Sequence, residues 1–474
     1  MRFLCVACCC MLFSVSLSAQ ESLDAELSRK VNTIAETIKS NPDSAEDEFD
    51  DLLKGKNKKN ISLLIAIGRA YLANEMIEEA QGYADRARKV DSKSSLVYLF
   101  AGDIALAQKN VGKACGYYEQ AMLFDEDCYD AYYKYARAYM GVNPQLSVDK
   151  LTELKTKHPE NIDVDRELAN VYYYMGKYSE AKSAYDDFMA QGKPNVQDYA
   201  HYAMLLYLNK NYQQSLDMAA KGLSEDANNH LLKRLKMYNL YELKSYKDGL
   251  TAADSFFQDP TSPDYVYLDY LYCGRLYLAD QQPEKAFENF NKALELDANK
   301  EHPEAIKEVS EAYESLQNYP EAIRLYQLYM DAIGDKAEIS DLFLFGRLNY
   351  MAAGMAGVTE EDKKAYLTKA DEIFGEVSQR VPENYLGYFW RARTNAMADP
   401  ETVDGLAKPY YESALAILEK NPNSSKSIMI ECESYLGYYY FLQKDYEQSK
   451  VYWNKILSLD PENETAKQAL EGLK

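Results

Sequence analysis

Residues 273–293 read CGRLYLADQQPEKAFENFNKA, and this stretch decides the fold. Gly274 is a small residue with Tyr277 three places after it, and a second small residue, Ala286, follows twelve places after the first. Two antiparallel helices approach closely only where both carry small side chains, and larger neighbours then fill the gaps. The stretch therefore predicts two closely packed helices joined by a short turn.

The same pattern recurs along the chain. Its first steps are 34, 34, 33 and 34 residues, and later steps are longer. The eleven aligned copies have the following residues at the first small position: Gly68, Gly102, Ala136, Ala169, Ala203, Met237, Gly274, Ser310, Gly346, Ala392 and Gly437. A fixed period of this length is typical of stacked helical repeats. We therefore predict an all-α fold, a solenoid of about eleven helix pairs.

The best copies resemble the tetratricopeptide repeat (TPR) family in its Leu-Gly-x-x-Tyr, Ala-x-x-x-Phe and terminal Pro elements. The clearest are residues 273–293 and residues 436–461, where Leu436-Gly437 is followed by Tyr440, Ser449, Trp453 and Pro461. The resemblance covers residues 58–474. It implies a right-handed superhelical solenoid of TPR-type helix pairs, whose concave inner surface usually binds peptides or proteins.

Some copies depart from the pattern. After Ala136, the second helix carries Val148, Thr152 and Lys155 where small, aromatic and small residues are expected, so this copy is interpreted as degenerate, like the one around Met237. In two late copies the small residues are further apart. We expect enlarged interhelical turns near 354–368 and 398–409, and insertions on one face of a repeat protein are often functional.

Both ends of the repeat array need a cap with a polar outer face. Residues 20–57 contain two helical patterns without the small-residue signature, so we expect them to form N-terminal capping helices. Residues 463–473 are expected to form a C-terminal capping helix. The array itself then spans residues 58–474.

Residues 1–19 have the order of a secretory signal peptide: Arg2, an apolar run at 3–17, and Ser18-Ala19 before polar residues. We predict cleavage after Ala19, with cleavage after Ser18 as the alternative. A retained membrane anchor is disfavoured because the apolar run is short, and lipidation at one of the cysteines at 5 and 8–10 is the minority interpretation. The expected location is the periplasm or the outer envelope, or outside the cell.

The remaining composition narrows the partners and cofactors. The formal net charge is −22, and such an acidic surface would repel a phosphate backbone, so nucleic acid is excluded as a partner. No apolar run after the signal peptide reaches the ~18 residues of a membrane-spanning helix. Cys115, Cys128, Cys273 and Cys432 allow three pairings, but free structural thiols are favoured, and their redox state stays open. No metal-ligand spacing occurs, so we expect neither metal nor cofactor.

Motifs of catalysis are missing from the sequence. It contains no phosphate-binding Gly-x-x-x-x-Gly-Lys loop, no Gly-x-Ser-x-Gly elbow and no His-Glu-x-x-His. Acidic residues number 75, so chance pairs of carboxylates on helix faces cannot indicate a glycosidase. We therefore expect a non-catalytic protein with no catalytic residue, and a carbohydrate-processing enzyme is the less favoured class.

The resemblance also indicates where a partner would bind. In the family, the residue after the first small one points into the groove, and here it is arginine in five copies: Arg69, Arg137, Arg275, Arg347 and Arg393. These residues could form a basic strip for carboxylates, because guanidinium is a planar donor fork. The favoured alternative is that they pair with Asp and Glu of adjacent repeats.

Aromatic residues accompany two of these arginines next to the expected insertions. The candidate binding cluster is Phe343, Arg347, Tyr350, Phe389, Trp390 and Arg393, since arginine with aromatics is typical of binding hot spots. We thus expect a non-catalytic exported scaffold that binds a protein or extended peptide in its concave groove. The alternative is a subunit of an envelope assembly or secretion complex. The oligomeric state stays open.

Overall fold

A computed structural model of the chain describes residues 23–258 and 265–473. The predicted signal peptide and its cleavage site lie outside the described residues. Within the described ranges the chain forms 25 α-helices and no strand, which confirms the all-α prediction. In the same ranges, every helix is too short or too polar to cross a membrane.

The chain divides into two units. The first consists of Met1–Tyr265 with Arg275–Pro283, and the second of Val266–Gly274 with Glu284–Lys474. The described helices of the first unit are α1 (Ala25–Ala35), α2 (Pro42–Leu52), α3 (Ile61–Ala73), α4 (Ile77–Val90), α5 (Ser95–Ala107), α6 (Val111–Phe124), α7 (Tyr129–Met140), α8 (Pro144–Lys157), α9 (Asp163–Tyr174), α10 (Tyr178–Gln191), α11 (Val196–Leu208), α12 (Tyr212–Glu225), α13 (His230–Glu242) and α14 (Tyr246–Phe257).

Helix α15 (Tyr267–Ala279) contributes residues to both units. The other helices of the second unit are α16 (Pro283–Leu296), α17 (Pro303–Ser315), α18 (Tyr319–Ile333), α19 (Ile339–Ala353), α20 (Glu360–Arg380), α21 (Tyr385–Ala398), α22 (Lys408–Leu418), α23 (Lys426–Leu442), α24 (Tyr446–Leu459) and α25 (Glu464–Gly472). Within each unit, consecutive helices pack as pairs, and the second helix of a pair packs on the first helix of the next.

Small residues set the crossing of the helices in a pair, as the sequence predicts. In the α5/α6 pair, Gly102 and Ala114 are both buried, and the ring of Tyr118 fills the space beside Gly102. The α19/α20 and α23/α24 pairs are built alike, with the Phe374 ring beside Gly346 and the Trp453 ring beside Gly437. Beside Gly68 of α3, the ring is that of Phe100 from α5 of the next pair. The core of each unit is thus a row of aromatic rings seated on small residues.

Serine at a crossing adds a hydrogen bond between the two helices. The Ser215 hydroxyl donates to the carbonyl oxygen of Ala203 at 2.7 Å, and the Ser449 hydroxyl donates to that of Gly437 at 2.8 Å. The Ser310 hydroxyl donates in the opposite sense, from the first helix to the Ala322 carbonyl of the second. Because each hydroxyl is buried and bonded, serine replaces alanine here without leaving an unsatisfied polar group.

One departure predicted from the sequence is corrected, and a second is limited to the first helix of its pair. The second helix of the copy after Ala136 is not degenerate: α8 buries Ser147, Val148, Leu151 and Leu154, and the Ser147 hydroxyl bonds to the Ala136 carbonyl at 2.6 Å. Ser147 is therefore the second small residue, and the spacing is eleven rather than twelve because α7 ends four residues after Ala136, whereas α5 ends five residues after Gly102.

The copy around Met237 is also regular in its second helix. Helix α14 buries Gly249, twelve residues after Met237, together with Ala252, Ala253 and Phe256. Met237 is fully buried at the first small position, where other copies have a small residue. In this pair, therefore, only the second helix has a small residue at its aligned position, Gly249.

The two late connections differ in construction. Between α19 and α20 the loop comprises only residues 354–359, and the remaining extra residues lengthen α20 to 21 residues; the Thr359 hydroxyl caps this helix by accepting the Asp362 N–H. Between α21 and α22, residues 399–407 fold around the buried Asp399. Its carboxylate accepts the N–H groups of Val403, Asp404 and Gly405 at 2.8–3.1 Å.

The terminal helices cover the first and last described pairs. Helices α1 and α2 pack against each other, with Val31, Ile34 and Phe49 buried, and α1 packs on α3. A short 3₁₀ turn, Gly55–Lys59, connects α2 to α3. At the other end α25 packs on α24 through Ala466.

Candidate functional site

The predicted aromatic cluster assembles on the first helices of two neighbouring pairs in the second unit. Phe343, Arg347 and Tyr350 share one face of α19, because positions three and four apart are neighbours on a helix. Trp390 and Arg393 lie on α21. We call these five residues with Phe389 the Trp390 cluster.

Trp390 is the centre of this cluster. The Phe343 ring meets it edge-on, with centroids 5.7 Å apart, and the Tyr350 ring does so at 5.3 Å. The guanidinium carbon of Arg393 lies 5.3 Å from the Trp390 ring centroid. Edge-to-face contacts and a cation over the indole are the favoured arrangements of such groups. The half-buried Trp390 is therefore held in one orientation.

Arg393 is fixed by an acidic residue of the next pair. Its Nε and Nη2 atoms donate to the two carboxylate oxygens of Glu431 on α23, at 2.6 and 2.5 Å. This hydrogen bonding raises the pKa of Arg393 above its ordinary value. Both side chains are 34% exposed, so the pair lies at the surface with its charge largely neutralised.

Arg347 is held in a similar way by the preceding pair. Its Nη2 donates to the Glu314 carboxylate on α17 at 2.7 Å. Its buried Nε has no hydrogen-bond partner among the described residues. Arg347 thus keeps one donor that its own protein does not satisfy, in a side chain that is 36% exposed.

Phe389 and Tyr350 have different roles in the cluster. Phe389 is only 4% exposed and lies under Arg393, with its ring centroid 4.7 Å from the guanidinium carbon. Phe389 therefore supports the surface from beneath, although the sequence predicted it to contact a partner. Burial raises the pKa of Tyr350, so its hydroxyl stays protonated and able to donate.

The predicted arginines of the first unit do not meet one another at a site. Arg137 forms a two-pronged ion pair with Glu167 of the next pair, with Nε 3.0 Å from Oε2. Arg69 lies 3.9 Å from Asp103. The guanidinium carbon of Arg275 lies 5.7 Å from the Tyr241 ring centroid. In Arg69, Arg137, Arg347 and Arg393, the pairing between adjacent repeats that we favoured is present, and a role in partner binding stays a prediction.

The positional rule for groove residues holds only in part. Met204 and Tyr238 follow the first small position in their copies, yet they are 3% and 0% exposed. The rule therefore identifies candidate positions, and burial decides which of them can contact a partner.

Arg391, a polar residue next to the Trp390 cluster, was not predicted from the sequence. Arg391 donates from Nε and Nη2 to the Asp371 carboxylate, both at 3.0 Å, and its guanidinium carbon lies 4.1 Å from the Tyr410 ring centroid. Asn395 also donates to Asp371. Arg391 stands before the small residue rather than after it, so the positional rule passes over it. Its pairing ties α20, α21 and α22 together.

Arg69 borders a separate cavity in the first unit. The cavity has a volume of about 450 Å³ and lies between α1 and α3, with Leu96 of α5 at one side. Its walls are mixed: Val31, Ile65 and Ala66 are apolar, whereas the serine and asparagine side chains around them are polar. This size is within the range of small ligand sites, but no charged group other than the Arg69 guanidinium closes over it.

The arrangement around Trp390 offers binding rather than chemistry. It presents aromatic rings and neutralised guanidinium groups, without a nucleophile activated by a base. In the described part of the chain, no three His, Cys, Asp or Glu side chains are grouped as metal ligands would be. The geometry is suited to an extended chain that supplies apolar side chains and carbonyl acceptors.

Comparison with known proteins agrees with the repeat pattern. Residues 65–131 match the family described as tetratricopeptide repeat. The C-terminal part of a TPR repeat-containing protein from Cytophaga hutchinsonii is 26% identical, with a TM-score of 0.45, and the match covers 57% of this chain and 99% of that one.

Two other solved structures are similar at lower identity. A tetratricopeptide repeat protein from Parabacteroides merdae is 18% identical over 51% of this chain and 94% of that one, with a TM-score of 0.35. Yeast Tom70 is 14% identical over 91% of this chain and 98% of that one, with a TM-score of 0.31. A search of the curated proteins finds no match.

Proposed function

Because this chain is a tetratricopeptide-repeat protein, we propose that it is a non-catalytic exported scaffold that binds a protein or extended peptide on the Trp390 cluster. The repeat fold itself indicates protein or peptide partners. The finer proposal concerns the place of binding, the first-helix face of α19 and α21 in the second unit.

One observation carries this proposal: the packing of Trp390 by Phe343, Tyr350 and Arg393. The rings and the guanidinium are fixed before any partner arrives, because ion pairs from α17 and α23 hold the arginines. A surface ordered in advance loses less conformational entropy on binding. Tryptophan, tyrosine and arginine are also the residues that contribute most to binding energy at interfaces.

The test removes the central ring. With the purified protein as bait in a native envelope extract, followed by crosslinking and quantitative mass spectrometry, Trp390→Ala should reduce retention of the specific partner about tenfold, a loss of about 1.4 kcal/mol. Tyr438→Ala is the matched control. Tyr438 is an exposed aromatic at the repeat position of Arg393, but in the last pair.

A second variant separates charge from folding. Exchanging the pair as Arg393→Glu with Glu431→Arg keeps an ion pair between α21 and α23 but removes the cation from above Trp390. Melting temperature should be nearly unchanged while retention falls. If Trp390→Ala and the exchanged pair retain the same proteins in the same amounts as wild type, the Trp390 cluster is not the binding surface.

Export is part of the same proposal and rests on the order of residues 1–19. After expression in a bacterial host, the chain recovered from the envelope fraction should begin at Gln20, or at Ala19 for the alternative cleavage. Intact mass spectrometry measures this directly. A mass that includes residues 1–19, or recovery only from the cytoplasm, would contradict export, whereas an added lipid mass would support the lipoprotein alternative.

A further inference from the structure

Three consecutive helix pairs of the first unit share a motif at the turn between their helices. Residues 173–178 read YYMGKY, residues 207–212 read YLNKNY and residues 241–246 read YELKSY. Each stretch has a tyrosine near the end of the first helix, a lysine in the turn and a tyrosine at the start of the second helix. We call the surface formed by these residues the turn edge: Tyr173, Lys177, Tyr178, Tyr207, Lys210, Tyr212, Tyr241, Lys244 and Tyr246.

The two tyrosines of each turn pack together in the same way. Their ring centroids are 5.7, 5.8 and 6.1 Å apart in the three successive turns, and every ring is half-buried. The first tyrosine also reaches the next pair: Tyr207, for example, has its ring centroid 5.9 Å from that of Tyr238. The rings are therefore fixed and recur once per repeat.

The lysines of the turn edge are exposed, and no carboxylate of the described residues forms an ion pair with them. The chain has 75 acidic and 53 basic residues, so a lysine here has acidic residues available elsewhere in the sequence. In α10, by contrast, Lys182 pairs with Asp186 at 2.8 Å. Three successive repeats thus keep a free ammonium group at the same edge.

Two of these lysines also occupy a conformation that disfavours them. Lys210 has φ 60° and Lys244 has φ 61°, in the left-handed region, whereas the first of the three turns has Gly176 there with φ 72°. A side chain in this region costs on the order of 1 kcal/mol relative to glycine. The same left-handed residue recurs in the equivalent turns of other pairs, as Glu75, Lys109, Gln281, Gln317 and Lys444, so the conformation belongs to the turn and not to lysine.

We propose that the turn edge binds an extended acidic segment of a partner protein. First helices of successive pairs contact one another here, as the 5.9 Å between the Tyr207 and Tyr238 ring centroids shows, and packed helices lie ~8–10 Å apart. An extended chain advances ~3.3 Å per residue, so about every third residue of such a segment meets the next repeat. Carboxylates at this spacing complement the lysines. The side chains between them lie on the tyrosine pairs, which give apolar contact and hydroxyl groups.

This surface goes beyond the proposed function, since it shares no residue with the Trp390 cluster and lies in the other unit. Its occupant also differs in chemistry. The Trp390 cluster has its arginines neutralised by Glu314 and Glu431, so it has little net attraction for an acidic chain. At the turn edge the ammonium groups are unpaired and can take carboxylates without displacing an internal partner.

The test uses a synthetic peptide of about twelve residues, four copies of Glu-Ser-Leu, with a fluorescent label. Fluorescence anisotropy against the purified protein should show saturable binding, and the same peptide with Gln in place of Glu should bind at least about tenfold more weakly. Changing Lys177→Gln, Lys210→Gln and Lys244→Gln together should weaken binding of the Glu peptide about tenfold and reduce its dependence on salt.

Lys109→Gln is the matched control. Lys109 is exposed in the turn between α5 and α6, and its φ is 60°, but Leu106 and Val111 stand where the tyrosines of the turn edge would be. We expect it to leave binding unchanged, with circular dichroism the same for all variants. Equal weakening by Lys109→Gln, equal binding of the Gln peptide, or binding unaffected by the triple change would each overturn the proposal. Displacement of the peptide by single-stranded DNA at equal concentration would overturn it too.

Discussion

A Cβ atom added to Gly102 would stand 2.2 Å from Cε1 of Tyr118, so the tyrosine ring occupies the space that any other residue would need. Tyr118 is fully buried, and its hydroxyl donates to the Asp103 carboxylate at 3.0 Å. The ring can retreat only by giving up this bond or its neighbours in the core. The contact joins α5 and α6 and fixes how closely they approach.

We expect Gly102→Ala to lower the free energy of unfolding by about 2 kcal/mol, because overpacking forces ring and backbone to shift. Gly82→Ala is the control, since Gly82 is an exposed residue inside α4 with no atom within 4 Å of an added Cβ. It should raise stability by up to about 1 kcal/mol through helix propensity. Urea titration followed by circular dichroism measures both, and equal effects of the two changes would contradict the packing argument.

Arg137→Ala should destabilise the first unit by about 2 kcal/mol. The change leaves the Glu167 carboxylate, whose side chain is 7% exposed, without its two-pronged partner. Arg137→Ala combined with Glu167→Gln should recover part of the loss, because the buried charge is removed. Thermal melts of the three proteins decide the matter; a double variant less stable than Arg137→Ala would speak against this account.

Lys210→Gly should raise the free energy of unfolding by roughly 0.5–1 kcal/mol. Glycine adopts φ near 60° without steric cost. We expect this gain in folded-state free energy to exceed the cost of the higher conformational entropy that glycine gives the unfolded chain. The same change is expected to weaken binding of the acidic peptide, so stability rises while affinity falls. In the reverse experiment, Gly176→Lys should lower stability. Urea midpoints of both variants show whether the left-handed conformation is strained.

Glu433 should make the stability of the last pairs fall with rising pH. It is 1% exposed, its Oε2 has no hydrogen-bond partner among the described residues, and burial raises its pKa to about 7. A glutamate in the unfolded chain titrates near pH ~4.3, so between these values the folded protein binds more protons than the unfolded one. The free energy of unfolding therefore falls from about pH 4.3 to about pH 7 and then levels.

Glu433→Gln removes this dependence. The variant should gain stability over wild type at pH 8 and gain little at pH 5, with Lys455 and Glu419, the charged groups nearest to Glu433, left in place. Glu383→Gln, an exposed glutamate, serves as the control and should change neither value. Urea titrations at pH 5 and pH 8 measure the free energy of unfolding of each variant. The same gain at both would show that ionisation of Glu433 is not the cause.

The cysteines should react slowly in the folded protein. Cys115 and Cys432 are buried free thiols, and burial raises the pKa of each to about 12. Since the thiolate is the reactive form, Ellman's reagent at pH 8 should modify neither within minutes, while urea should expose both. Mass spectrometry of labelled peptides separates the sites. Rapid labelling of Cys432 in the native protein would mean that the α22–α23 packing opens easily.

The helix pairs were predictable because their cause is local and steric. Gly102 and Ala114, or Gly437 and Ser449, stand twelve residues apart, and a small residue opposite a small residue is readable without coordinates. The prediction failed where a first helix is one residue shorter after its small residue: α7 ends four residues after Ala136, and Ser147 takes the place expected for Val148. A one-residue difference at the end of a first helix shifts every expected position of the second helix, and no residue of α8 reveals that shift.

The candidate site was predictable in its members but not in their pairing. The positional rule identified Arg347 and Arg393, and Trp390 stood out by residue type. Their acidic partners do not follow one position: Glu314 comes after the small residue of its copy, whereas Glu431 comes before that of its own. Which carboxylate pairs with which guanidinium depends on side-chain rotamers and on the offset between neighbouring helices. The repeat pattern determines neither.

The crossings joined by small residues also bear on how the chain folds as it is synthesised. A crossing such as Gly102 with Ala114 forms within a single segment of sequence, so its loop-closure entropy is small. Contacts of this kind favour fast folding, and a pair can form once its own residues have left the ribosome. Each new pair then packs on the preceding pair, which is already folded. Because each repeat contacts only its neighbours, a destabilising change in one turn affects mainly the adjacent pairs.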